Sequence, residues 1–411
     1  MSTRPIASGV CALILGASVA TSGQNAPRAT APPEAPAGRP APSNVRGQEY
    51  PRILPDRRVI FRARAPEAKT VAVRARGNDS GMGAETYPLK PIGEGVWEAT
   101  IGPVRSGFHY YELLVDGHAM NDPASQTYFG WARPTSGLEV PDDTLTFYVA
   151  KDVPHGEVRI RPYFSKVTGQ HRHAYVYTPP GYDQNPSLRY PVLYLQHGSG
   201  ENETSWTWQG RVNVVMDTLI AEGKTLPMLV VMDQGYATRA GAAPAPAGQR
   251  GGGAGQADAF QDVVLRDLIP TIDANYRTLT DRRHRAIAGL SMGAGQAVRI
   301  GFGNPDVFAS VGAFSGGGGR GGAPFDRQTA YNGVMADVAA FNSKFDLFWI
   351  GYGDLEGGYA NGKKLHQTLE AAGIKHVWFE TAGSHEWQVW RKSLYDFGPR
   401  LFRTGAAKKT Q

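Results

Sequence analysis

Cysteine is almost absent: the 411 residues include one, Cys11, and it falls in a segment expected to be removed. A disulfide framework, a thiolate metal cluster and a cysteine nucleophile are therefore excluded from the mature chain. Charge is also sparse, at 19% of residues, and the net +6 comes from scattered Lys and Arg whose tight runs are short pairs such as Arg282-Arg283 and Lys363-Lys364. Without a basic stripe or a recognition motif, nucleic acid is not an expected partner. Metal spacing is missing too. His385-Glu386 is followed by Val389 where a zinc helix needs its second His, so neither a metal nor a cofactor is expected. The tract GGGGRG (316–321) fits a dinucleotide loop only as part of a glycine-rich run, with no acidic partner at the required distance. Beyond the N-terminus no stretch approaches the about 20 apolar residues that span a bilayer.

What is present divides the chain into four parts. Residues 1–23 read as an export signal, with Arg4 ahead of the apolar run Ile6 to Ala20 and small-residue cleavage sites around Ala20 and Ala26. A secreted or periplasmic location follows, with no membrane attachment after cleavage. Residues 24–50 are rich in Pro and Ala and read as a tether. Residues 51–151 alternate apolar and polar positions in short runs (57–66, 69–77, 94–104, 108–117 and 143–150) bounded by Gly and Pro. That pattern predicts a small all-β sandwich, with the Arg alternation of 62–76 as a solvated face. From 152 to 405, short apolar runs (191–198, 227–235, 284–291, 308–316, 345–353, 376–383) alternate with helical periodicity (212–223, 262–276, 293–305, 361–373, 387–402). This predicts an α/β domain with a mostly parallel sheet covered by helices on both faces. Two Gly- and Ala-rich insertions, 237–259 and 316–337, leave the C-terminal ends of strands, where such sheets place ligands.

The strongest motif is Gly289-Leu290-Ser291-Met292-Gly293, entered by a strand and left by a helix. The sharp turn presents a Ser hydroxyl above the sheet. A hydroxyl needs a base to become a nucleophile, and in this arrangement the acid and then the His follow the Ser in the chain. His366 falls within an amphipathic helix and His376 starts a strand; His385 lies in a small-residue loop after the last strand, where an imidazole reaches the turn. The orienting acid belongs just past the preceding strand, where the pattern leaves Asp354 and Glu356 as equal alternatives. Oxyanion donors are expected from the backbone N–H of Met292, after the nucleophile, and of Ser199, in the loop His197-Gly198-Ser199-Gly200.

Residues 152 to 403 resemble the esterase-D-type esterase family, which includes feruloyl and acetyl-xylan esterases, enterochelin esterases and mycolyltransferases. The resemblance is carried by YLQHGSGENETSW (194–206), LIAEGKTLPMLVVM (219–232), AIAGLSMGAGQA (286–297), FWIGYGDLEGGY (348–359) and GSHEWQVWRKSL (383–394). It implies an α/β-hydrolase fold, Ser291 and His385 as nucleophile and base, and Ser199 and Met292 as oxyanion donors. The family's usual Asp, third after the second Gly of a Gly-x-Gly turn, falls on Glu356, a departure that keeps Asp354 as the alternative acid. Residues 51–151 resemble the Ig-like E-set, carbohydrate-module-like domain that precedes many of these esterases. The expected activity is ester hydrolysis on acylated carbohydrate or a small ester, with feruloyl or acetyl groups of plant polysaccharide as the leading substrate class. A siderophore trilactone esterase, an acyltransferase of the same fold and a non-catalytic carbohydrate-binding protein are the alternatives. Trp206 and Trp387, with Trp208 and Trp390, flank the expected site loops and are candidates for stacking on substrate. Every expected catalytic residue lies after position 190, so the front module is expected to be separable from the chemistry; the alternative is that it packs on the second domain and stabilises it, since its aromatics Tyr87, Trp97, Phe108, Tyr110 and Tyr111 mostly fall in strands.

Overall fold

The protein is described by a computed structural model over residues 38–77, 81–83, 85–242, 254–317 and 325–403. The expected export signal, Cys11, the first part of the tether and much of both Gly-rich insertions lie outside the described residues.

The period-two runs of the front segment form two antiparallel sheets. One has the strand order Arg39–Pro40, Arg52–Ile53, Val59–Arg64, Val96–Ile101, Lys90–Gly93. The other runs Thr127–Gly130, Arg133–Val140, Gly107–Val115, Val71–Arg76, Thr86–Pro88, with His118–Met120 added against Gly107–Val115. Their facing apolar positions, among them Val59, Phe61, Val73, Tyr111 and Leu138, share one buried cluster, the packing that alternation at period two dictates.

Three expectations change here. The tether was expected to reach residue 50, yet residues 38–50 are fastened to the sheets. Arg39–Pro40 pairs with Arg52–Ile53, Asn44 Nδ2 donates to the Pro51 carbonyl at 3.0 Å, and the Glu139 N–H donates to Ser43 Oγ at 3.0 Å. The run 143–150 is not a strand. Asp142 accepts from the Thr144 N–H and hydroxyl in a turn, and Phe147 and Tyr148 are buried in the core of the following domain. The last front strand is Arg133–Val140. Finally, the Arg face of 71–76 is not fully solvated: Arg74 Nη2 sits 2.7 Å from the buried Glu112 carboxylate, while Arg62 and Arg64 of the other sheet do face outward.

The second domain holds an eight-stranded sheet: β1 (Glu157–Ser165), β2 (Gln170–Thr178), β3 (Val192–Gln196), β4 (Leu229–Asp233), β5 (Arg285–Leu290), β6 (Ser310–Phe314), β7 (Leu347–Gly353) and β8 (Val377–Thr381). Its order is β1-β2-β4-β3-β5-β6-β7-β8. The hairpin β1–β2 is antiparallel, and the strands from β3 to β8 are parallel to one another. The longer helices are α1 (Val212–Ala221), α2 (Ala254–Asp262, continuing through a π-wound stretch into Ile269–Asn275), α3 (Met292–Gly303), α4 (Tyr359–Ala371) and α5 (Trp387–Phe397), with short helical turns at Ser205–Trp208 and Val338–Lys344. Apolar residues of α1 and α5 cover one face of the sheet, and those of α3 and α4 the other. Among the described residues no helix is long and apolar enough to cross a membrane.

The described residues form one compact unit. Phe108 from the front module is buried in the same cluster as Trp206, Trp387 and Trp390. On α5, the fully buried Arg391 donates through both terminal nitrogens to Glu139 of the front module, each at 2.8 Å. Burial alone would raise the Glu139 carboxyl, but the Arg391 charge holds it below its ordinary value. The front module is thus joined to the second domain by buried contacts, not merely tethered to it.

Candidate active site

Strand β5 ends at Leu290 and helix α3 begins at Met292, which forces Ser291 into a sharp turn with φ 52° and ψ −112°. Such a conformation costs about 1–3 kcal/mol for a residue with a side chain. The flanking glycines are required sterically: a Cβ on Gly293 would lie 2.5 Å from the His197 carbonyl oxygen, and one on Gly289 would lie 2.6 Å from the Gly293 backbone. The turn is therefore built so that the loop after β3 passes directly over it.

The Ser291 hydroxyl lies 2.9 Å from His385 Nε2, and His385 Nδ1 lies 2.9 Å from Glu356 Oε2. The other Glu356 oxygen accepts from the Gly353 N–H at 2.7 Å and the Ser315 hydroxyl at 2.6 Å. Ser315 Oγ in turn accepts from Trp390 Nε1 at 2.9 Å. A buried carboxylate with this many fixed donors cannot rotate away from the imidazole. Asp354 sits elsewhere: it is exposed and accepts from the Gly383 N–H at 2.9 Å, bracing the loop that carries His385. A series of this kind can move a proton from a hydroxyl to an imidazole while the carboxylate holds the ring and balances its charge.

Facing Ser291 is the loop His197–Glu201. His197 is buried, which pushes its imidazole down to about 4. The neutral ring, with its tautomer assigned from its neighbours, bonds the Gly198 carbonyl through Nδ1 at 2.8 Å and accepts from the Gly235 N–H at Nε2 at 2.8 Å. The N–H groups of Ser199 and Met292 have no acceptor among the described residues; that of Met292 belongs to the first turn of α3, where no intrahelical partner exists. Ser199 lines a cavity of about 290 Å³ together with Ser291, His385, Trp387 and Trp390.

The tryptophans separate into two groups. Trp387 and Trp390 line the cavity. Trp206 does not border the cavity; it is buried, donates to the Gln196 carbonyl and packs edge-on to Trp387 and Phe314. It is a core residue, and the expected substrate contact is corrected accordingly. Trp208 is 58% exposed but does not border the cavity.

Sequence reasoning missed the front module's share of this cavity. Arg76, Phe108, Tyr110 and Trp131 form part of its wall. Trp131 sits in the turn between the last two front strands with φ 58°, and the adjacent Ala132 N–H donates to the Gly200 carbonyl at 2.7 Å. No local pattern reports a contact between a hairpin turn near 131 and a loop near 200. Glu201 was also missed. It is buried at the end of the His197–Glu201 loop, and its only signal was an acidic residue following a run of small ones.

The family model Esterase (described as "Putative esterase") matches residues 165–401. The chain belongs to this esterase family. It is 38% identical over 373 residues to a protein of Xylanibacter ruminicola named endo-1,4-beta-xylanase/feruloyl esterase, an alignment covering 89% of this chain and 47% of that one. The chain thus spans about half the length of that relative. Among solved structures, a ferulic acid esterase aligns with a TM-score of 0.50 at 27% identity, covering 61% of this chain and 98% of the other. The enterobactin esterase of Shigella flexneri aligns with a TM-score of 0.60 over 84% of this chain and 93% of its own, at 17% identity, a likeness of fold.

Proposed function

We propose that the chain is a secreted serine esterase that removes feruloyl or acetyl groups from plant polysaccharide through an acyl-enzyme on Ser291. The observation that carries this reading is the continuous hydrogen-bonded series from Ser291 Oγ through His385 to Glu356. In the first step His385 Nε2 takes the hydroxyl proton as Oγ attacks the ester carbonyl. The negative charge that develops on the carbonyl oxygen is met by the N–H groups of Ser199 and Met292. The imidazolium then gives its proton to the departing alcohol oxygen, and the acyl group remains on Ser291. Water, deprotonated by the same imidazole, attacks the acyl carbon; Oγ leaves with the proton, and a carboxylic acid is released. Glu356 accepts from Nδ1–H and balances the charge of the imidazolium. No metal or cofactor enters this sequence.

The substrate class rests on two supports: the relative's name as a xylanase/feruloyl esterase at 38% identity and the aromatic walls Phe108, Tyr110, Trp131, Trp387 and Trp390, which suit a planar acyl group or a sugar ring. Export rests on the character of residues 1–23. The test is hydrolysis of methyl ferulate, acetylated xylan and a catecholate trilactone by the purified protein, beside Ser291→Ala. Turnover on the ferulate or acetyl substrate is expected to fall by about 10⁴-fold or more in the variant with the fold intact. Retained turnover would remove the mechanism, and preference for the trilactone would replace the substrate class.

A further inference from the structure

Glu201 is a buried carboxylate that the proposed mechanism does not use. It lies two residues beyond Ser199 and lines the cavity. Its oxygens have separate duties. Oε2 accepts from the Gly198 N–H at 3.1 Å. Oε1 accepts from Trp387 Nε1 at 3.0 Å and from the Tyr110 hydroxyl at 3.1 Å. Tyr110, in turn, is fixed by Gln209 Nε2 at 2.7 Å.

On the far side of Ser199, the Gly200 N–H donates to the Tyr236 hydroxyl at 2.6 Å and the Gly200 carbonyl accepts from Ala132. Both neighbours of Ser199 are therefore fastened, while its own N–H has no acceptor among the described residues. A donor held this way is aimed before the reaction begins, and aiming is what an oxyanion site must supply.

We propose that Glu201 is a positioning residue: clamped by Trp387 and by Tyr110 of the front module, it fixes the Gly198–Ser199 peptide so that the Ser199 N–H points at the developing oxyanion. This rests on the serine mechanism proposed above. Gly198 N–H and Trp387 Nε1–H can only donate, so both need an acceptor. A carboxylate supplies one to each. An amide has a single acceptor oxygen and must turn its NH₂ group toward one of the two donors.

The experiment compares kcat and KM at about pH 8 or above, where Glu201 is a carboxylate, for a small soluble ester in the wild type, Glu201→Gln, Trp387→Phe and the Glu201→Gln/Trp387→Phe double variant, with Ser291→Ala alongside. Full removal of an oxyanion donor costs about 10²–10³-fold in kcat, so its misplacement in Glu201→Gln is expected to lower kcat roughly 10- to 100-fold, with KM within about threefold. In the Trp387→Phe background the competing donor is gone and the amide oxygen is free to face Gly198. There the same Glu201→Gln change is expected to cost less than about threefold. A Glu201→Gln protein too unstable to assay is replaced by Glu201→Asp, whose shorter side chain cannot serve both donors and should show the same fall in kcat. Wild-type kcat in the Gln or Asp variant, or a Gln penalty of equal size in both backgrounds, overturns the positioning role. Activity surviving in Ser291→Ala overturns the underlying mechanism instead.

Discussion

At the residue scale, Asp354 and Glu356 are two carboxylates of one turn with different surroundings. Glu356 is buried, reaches His385 Nδ1 and is held by Ser315 and Gly353. Asp354 accepts one backbone N–H at the surface. Glu356→Gln is therefore expected to lower kcat by roughly 10²–10⁴-fold, because the amide neither selects the tautomer nor stabilises the imidazolium. Asp354→Asn keeps an acceptor for Gly383 and is expected to stay within several-fold of the wild type; steady-state kinetics on a small ester rank the two, and the reverse order transfers the acid role. Glu201 gives a pH signature. Burial pushes its carboxyl up to about 7, against hydrogen bonds from Gly198, Tyr110 and Trp387 and the nearby His385 charge, which pull it down. The folded state thus binds this proton more tightly than the unfolded chain. The resulting stability is fully present below about 4.5, the ordinary value for this carboxyl, and is lost as pH rises through about 7. Relative to Glu201→Gln, the wild type should lose on the order of 3 kcal/mol between pH 4 and pH 8, readable from denaturant unfolding at both; a pH-independent difference would exclude an ionising Glu201.

At the scale of elements, the turn between β5 and α3 depends on the close passage of the loop after β3. A methyl group on Gly293 would press on the His197 carbonyl and on Gln196, so Gly293→Ala is expected to displace the loop that carries Ser199 together with Ser291. Since a shift of about 1 Å can cost 10²-fold in rate, activity should fall about that much, while circular dichroism retains the α/β signature. Near-normal activity in Gly293→Ala would mean that the elbow tolerates a wider turn than the geometry allows. The same scale explains where the pattern misled. The run 143–150 alternates as a strand would, but its turn chemistry at Asp142–Thr144 and the burial of Phe147 and Tyr148 in a different core decide otherwise. The hairpin β1–β2 left little trace because Arg159, Arg161 and the consecutive His171-Arg172-His173 interrupt its apolar residues on strands lying at one edge of the sheet.

At the scale of the whole molecule, the module expected to be separable is part of the cavity wall and of the buried seam. A chain beginning at Val153 would leave Arg391 without Glu139 and would uncover Trp387 and Trp390 where Phe108 now packs. Removing one member of a buried pair costs about 3–5 kcal/mol. The truncated chain is therefore expected to aggregate or melt well below the full protein and to lose turnover on small and polymeric esters alike. Glu139→Gln should reproduce much of the stability loss without removing the module. A soluble truncated chain with wild-type turnover on a small ester would show the seam to be dispensable.

The sequence by itself determined what short-range order can carry: the alternation of strands and helices from β3 onward, the strained turn at Ser291 with its two glycines, and the small-residue loops that present Ser199 and His385. These depend on spacing, periodicity and local backbone sterics, which are all written within a dozen residues. It left Asp354 and Glu356 level, because two carboxylates in one turn differ only in which distant groups they meet. It could not separate Trp206 from Trp387, since the two indoles flank the expected loops equally in the chain and both are buried; only the tertiary packing puts Trp387 in the cavity wall and Trp206 behind it. Tertiary structure alone decided that Tyr110 and Trp131, well before the second domain, stand beside Ser199, and that Glu201 joins them. Such contacts arise from burial and long-range docking between two sheets and a helix face, interactions whose energy depends on shape in three dimensions and leaves no period in the chain.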